Sequence, residues 1–177
     1  MSSDPPPVPP GHIGDLAIVV AAVCEQRLEA RPGTRVRYSL LTAHAILAEV
    51  VRRLDGGRRP FRHILAEDFF QPLRMHDTAL GLRSDLAARR VPVVVRDRTK
   101  GFGDAAGFEG FNMLLQEQTE IPAAGAVGTA ADVFRWAEMF RCGGTLDGVR
   151  VLSPTVIALA AANHTGMMPN DLFDYAC

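Results

Sequence analysis

The sequence predicts a mainly helical chain with a few short strands. Apolar residues recur at three- and four-residue spacing in segments before residue 70 and again after residue 129, which is the helical period. Val91 to Val95 is a β-branched run, and Asp147-Gly148 sits between Thr145-Leu146 and Val149 to Leu152 as a hairpin turn would. With 177 residues, 47% of them hydrophobic, the chain is long enough for one core.

Residues 1–12 contain Pro5, Pro6, Pro7, Pro9 and Pro10, which remove backbone donors and fix φ, so a disordered start is expected and packing should begin at residue 13. From Gly14 to Glu29, Leu16, Val20, Val23 and Cys24 form an apolar stripe, ended by Arg31-Pro32-Gly33. A second helix is predicted from Leu40 to Leu54. Ala43, Ile46, Leu47, Val50, Val51 and Leu54 should face inward, Arg52 and Arg53 outward, and Gly56-Gly57 should stop it. A third fits Phe61 to Phe70 before Pro72. Pro92 demotes the Val91–Val95 run to an edge strand, and glycine-rich Thr99 to Glu109 reads as loop.

Thr129 with Asp132 resembles a capping box opening a helix with Val133, Phe134, Trp136, Ala137 and Phe140. Ser153-Pro154 is an N-cap followed by proline at the first helical position, opening a last helix with Val156, Ile157 and Leu159.

A net charge of -1 and a pI near 6.5 give no bulk attraction to nucleic acid or anionic membranes. The longest apolar run, Leu16 to Cys24, is far shorter than the roughly 20 residues a membrane span needs. The start lacks basic residues and is proline-rich, unlike a secretory signal, so a cytoplasmic location is the default unless an N-terminal signal has been lost. Cys24, Cys142 and Cys177 lack the spacing of a zinc or redox motif and read as free thiols.

Two blocks carry a family resemblance. Arg31-Pro32-Gly33-Thr34, Tyr38-Ser39, a helix ending in Leu54-Asp55-Gly56, and Phe70-Gln71-Pro72-Leu73-Arg74-Met75-His76-Asp77-Thr78 form the first. Ala124 to Asp132, Met139, Gly143-Gly144, Leu146 to Pro154 and Asn163-His164-Thr165 form the second. Together they resemble, over Leu28 to Thr165, the serine hydrolases related to β-lactamases, penicillin-binding proteins and esterases. There the first block runs Pro-Gly-Thr, Tyr-Ser, helix, Gly, Pro-Leu-Gly-Met-x-Asp-Thr.

The resemblance implies an α+β fold, a helical subdomain on an antiparallel sheet with the active site between them. This chain matches mainly the helical part, so residues 13–177 are expected to form a partial domain. It implies acyl-enzyme chemistry on a small-molecule ester or amide, from a Ser-x-x-Lys nucleophile motif. That motif is missing here, because Lys100 is the only lysine and Asp97 stands three residues before it. The resemblance also offers Tyr38 as the tyrosine of a Tyr-x-Asn motif, handling the proton on the serine and leaving group, although Leu40 stands in the asparagine's place. The other reading of Tyr38 is a half-buried packing residue. His164-Thr165-Gly166 has the letters of the family's third motif but follows a helix, where Gly166 would simply close the helix end.

Other constellations are weaker. His63 and Glu67 share a helix face without a third metal ligand, and no cofactor motif is present. Cys24 or Cys142 activated by His44 or His63 has no supporting signature, and inert buried thiols are expected. Arg52, Arg53, Arg58, Arg59 and Arg62 form a basic patch diluted by Glu49, Asp55, Glu67 and Asp68, which reads as a solvated face. Gly101, Gly103 and Gly107 lack the strand and Gly-Lys-Ser/Thr of a phosphate loop. The expectation is therefore a truncated, catalytically incomplete serine hydrolase, with a non-catalytic interaction module derived from the same fold as the alternative. Self-association through uncovered apolar faces is expected in either case.

Overall fold

A computed structural model describes residues 8–39, 41–96 and 105–168, the side chains of 105–107 excepted. The architecture is α+β, with helices predominating over two small antiparallel pairings. Helix α1 (Leu16–Glu25) packs on α2 (Thr42–Leu54), and α3 (Phe61–Leu65) continues through a π-helical turn, Ala66–Phe70. Strand β1 (Ala79–Leu80) pairs with β2 (Ala126–Val127), Ala79 opposite Val127. Helix α4 (Ala105–Leu114) lies between those strands in sequence, and α5 (Ala130–Arg141) follows β2. The hairpin β3 (Thr145–Leu146) and β4 (Val149–Arg150) then leads into α6 (Pro154–Ala161).

Two cores result. Leu16, Val19, Val20 and Val23 of α1 meet Ala45 and Ala48 of α2, with Val8, Ile46 and Phe61 against them. Leu73, Met75 and Met139 form the second, lined by Phe70, Trp136, Phe140, Leu146, Val151 and Leu152. Trp136 joins it edge-on to Phe140, ring centroids 5.4 Å apart, and tilted to Phe69 at 5.7 Å.

Several predicted elements appear with changed limits. Helix α1 starts at Leu16 because Asp15 Oδ1 accepts the Ala17 and Ile18 amides, and it ends at Glu25 rather than Glu29, with Gln26 extended. Cys24, placed on its buried stripe from sequence, is exposed. Before α1, Pro10–His12 forms a 3-10 turn closed by the His12 amide on the Pro9 carbonyl at 2.8 Å.

The inward face of α2 differs most. Thr42, Ala45, Ala48 and Glu49 are buried, whereas Leu47 and Leu54 are 64% and 83% exposed and Val50 and Val51 also face out. The small Ala45 and Ala48 let α1 approach closely, and that approach selects the buried face over the one with the larger apolar residues.

Val91–Val95 forms no strand among the described residues. Instead the Asn112 carboxamide brackets Val93, accepting its amide and donating to its carbonyl, each at 2.8 Å. The glycine-rich stretch is partly helix, since α4 starts at Ala105, and residues 97–104, with Lys100, lie outside the described residues. In α5, Met139 and Asp132 are buried while Val133 and Phe134 are exposed, so only part of the predicted apolar face points inward.

The hairpin forms where predicted. Asp147 and Gly148 both take positive φ, 49° and 79°, as the turn compatible with strand twist requires. Ser153 Oγ accepts the Val156 amide at 3.2 Å, with Pro154 at the first turn of α6.

Candidate functional site

Tyr38 precedes α2 and is 45% exposed, half open to solvent rather than packed in either core. Beside it, Ser39 is spent on structure. Its Oγ accepts the Thr42 amide at 3.1 Å and the Ala43 amide at 3.3 Å and touches the Thr42 hydroxyl, so it caps α2. A serine hydroxyl held against amides at a helix start, with no base bonded to it among the described residues, is not poised as a nucleophile. Leu40 lies outside the described residues.

The two sequence blocks meet at a buried carboxylate. The Thr129 hydroxyl of the capping pair accepts the Asp132 amide at 3.3 Å, but the Asp132 carboxylate does not complete a capping box. Its Oδ2 reaches instead to the first block, accepting the Asp77 amide at 2.8 Å and the Thr78 hydroxyl at 2.9 Å. Gly128 fits against this joint because a Cβ there would lie 2.6 Å from the Thr78 hydroxyl oxygen. The Asp77 carboxylate turns outward to Arg89, at 2.7 and 3.1 Å, and that guanidinium holds its pKa below the usual aspartate range.

Arg135 makes a second tie, donating from Nε to the Leu73 carbonyl and from Nη2 to Asp147 Oδ2, both at 2.5 Å. Neither Arg135 nor the long-range role of Asp132 stood out in the sequence. For Asp132 the signal is the Asp-Thr and Thr-x-x-Asp of the two resemblance blocks; Arg135 has none.

Other sequence candidates are placed as follows. His164-Thr165-Gly166 lies beyond α6, which ends at Ala161. Asn163 Oδ1 accepts the Thr165 and Gly166 amides, so Gly166, φ 62°, closes this side-chain turn rather than the helix. His164 Nε2 is 2.6 Å from the Leu159 carbonyl, and no strand carries the triplet. Glu67 takes the Arg59 guanidinium at 2.8 Å, and no group of three metal-ligating side chains exists among the described residues. Cys24 and Cys142 are free but exposed rather than buried, and Cys177 lies outside the described residues.

Apart from Arg62, the basic patch is an ion-pair network. Glu49 bridges Arg52 and Arg53 at 2.7 Å each, and the Arg52 and then the Arg53 hydrogen bonds lower its pKa to about 2. Arg59 gathers Asp55, Glu67 and Asp68.

The family's Beta-lactamase model matches residues 3–175. The chain belongs to the Beta-lactamase family. Protein Rv1367c of Mycobacterium tuberculosis is 33% identical over 147 residues, 79% of this chain and 33% of that protein. This Beta-lactamase-family chain thus spans about a third of the length of the curated relative it matches. Among solved structures, a family VIII carboxylesterase superposes with a TM-score of 0.71 at 24% identity, over 88% of this chain and 44% of that one. A novel penicillin-binding protein homolog from Caulobacter crescentus gives 0.66 at 25% identity, over 91% and 45%. No helix among the described residues is long and apolar enough to cross a membrane.

Proposed function

We propose that this chain supplies the helical scaffold of a serine acyl hydrolase acting on a small-molecule ester, and that by itself it does not turn substrate over. The observation that carries this reading is the Asp132 joint. It ties the two family blocks together through hydrogen bonds, while the sequence holds no Ser-x-x-Lys and its one serine beside Tyr38 is bonded to helix-start amides. The likeness to a carboxylesterase supports ester rather than amide chemistry. In this reading Tyr38, half open to solvent at the start of α2, is the group that would move the proton between nucleophile and leaving group.

The test is a graft. Segments carrying Ser-x-x-Lys and the sheet strands from an active relative are joined to this chain, and Tyr38→Phe is made in the active product. The expected result is a fall in kcat of about two orders of magnitude with an unchanged melt. Full turnover with phenylalanine would return Tyr38 to a packing role. A second reading, a non-catalytic interaction module, is favoured by one observation, the outward apolar stripe of Leu47, Val50, Val51 and Leu54 on α2.

A further inference from the structure

A cleft of about 460 Å³ opens between α3 with its π-turn and the segment that follows Met75. The π-turn is a real departure from the α-helix. The Gln71 amide bonds to the Ala66 carbonyl at 2.9 Å and the Met75 amide to the Phe70 carbonyl at 2.8 Å, both five residues back, and such turns gather at functional sites. Here the widened backbone sets Ala66 and Phe70 into the cleft wall. Met75 and Leu80, both largely buried, line the same cleft on its apolar side.

The rest of the lining is polar. His63 and His76 are exposed on it, Arg62 borders it, and the one carboxylate among its lining residues, Glu117, accepts the Ser84 hydroxyl at 3.4 Å. Arg62 differs from its basic neighbours. Arg52, Arg53, Arg58 and Arg59 are all in ion pairs, whereas among the described residues the Arg62 guanidinium bonds to the Gln118 carbonyl at 3.3 Å and has no carboxylate in ion-pair range; the nearby Glu120 carboxylate takes the Arg62 backbone amide instead, at 2.8 Å. Arg83 also lines the cleft, but Asp85 holds it through two contacts. One unspent cation and an apolar side, in a cleft of this size, fit a small ligand that is charged at one end and hydrocarbon at the other.

We propose that this cleft binds a small carboxylate borne on an apolar body, with Arg62 taking the carboxylate and Phe70, Met75 and Leu80 taking the hydrocarbon. Tyr38 is not part of its wall, and the site does not depend on the hydrolase reading. Arg62 also borders a larger cleft of about 670 Å³ toward α1. That cleft contains Arg58 but not Phe70, Met75 or Leu80, so Arg58 serves as the control.

Benzoate titrated into the 177-residue chain, followed by the ring proton resonances of His63 and His76, tests this directly. The expected result is saturable movement of both signals, with benzyl alcohol binding at least about tenfold more weakly. Arg62→Gln should weaken benzoate about tenfold or more and leave benzyl alcohol unchanged, since a hydrogen-bonded charge contributes at least that factor. Arg58→Gln should change neither. Far-UV melts of both variants confirm that they remain folded, and the unmodified chain alone decides whether benzoate binds. Absence of saturable shifts, equal binding of benzyl alcohol, or transfer of the Arg62 effect to Arg58 would each overturn the proposal.

Discussion

The Asp132 carboxylate accepts the Thr78 hydroxyl at 2.9 Å across 54 residues of sequence, and with the Asp77 amide at 2.8 Å this bond fixes α5 against the turn that follows Met75. Asp132 is buried, so its partners have little water to turn to if it is removed. Asp132→Ala should therefore destabilise the chain by about 2–4 kcal/mol, combining lost charge-assisted bonds with an unpaired amide. Thr78→Val, which removes one bond and leaves an acceptor with other partners, should cost about 1 kcal/mol. Urea unfolding of both variants checks the order as well as the size.

Arg74 takes φ 55°, in the left-handed region, where the family pattern Pro-Leu-Gly-Met has glycine. A residue with a Cβ costs about 1–2 kcal/mol there, and glycine recovers most of it less its own chain entropy. Arg74→Gly should raise stability by about 0.5–1 kcal/mol, read as a higher Tm. Gly144→Ala is the opposite case. At φ 90° its Cβ would lie 2.1 Å from the Leu152 carbonyl oxygen, so a clearly lower Tm is expected.

Helical segments, the Asp147-Gly148 turn and the Ser153 cap were legible because each rests on local chemistry, a period, a left-handed turn or an N-cap bond. The inward face of α2 was not. A pattern of Leu47, Val50, Val51 and Leu54 says which face is more apolar, but the close approach of α1 onto Ala45 and Ala48 decides which face is covered. Val91–Val95 failed for a related reason, since a β-branched run becomes a strand only if a partner strand is present, and here Asn112 takes that place. At the site, Tyr38 was named only through its family motif. The Asp132 joint escaped because a local capping pattern accounted for the same residue.

Acid should weaken the α2 region in a defined window. The bonds from Arg52 and Arg53 lower the Glu49 pKa to about 2, below its unfolded value near 4.5. A depressed folded pKa gives stability that is complete above about 4.5 and is lost as pH falls toward 2. Glu49→Gln should thus lower stability at neutral pH and flatten the decline between those values, measured as Tm against pH.

The outward stripe of α2 should drive self-association. Replacing Leu47 and Leu54 together by Gln should reduce the sedimentation coefficient at high concentration while shifting the melt by no more than about 0.5 kcal/mol, because both side chains are mostly exposed. An unmodified chain that sediments as a monomer at all concentrations would remove the basis for the interaction-module reading.

We propose that this Beta-lactamase-family scaffold carries no acyl-enzyme nucleophile of its own, and intact mass after exposure to a serine-directed phosphonate checks this. An unmodified mass is expected after prolonged exposure, because Ser39 is held by the Thr42 and Ala43 amides and Ser153 by the Val156 amide, neither with a lysine one turn away. A stoichiometric adduct on any serine, Ser39 above all, would contradict it.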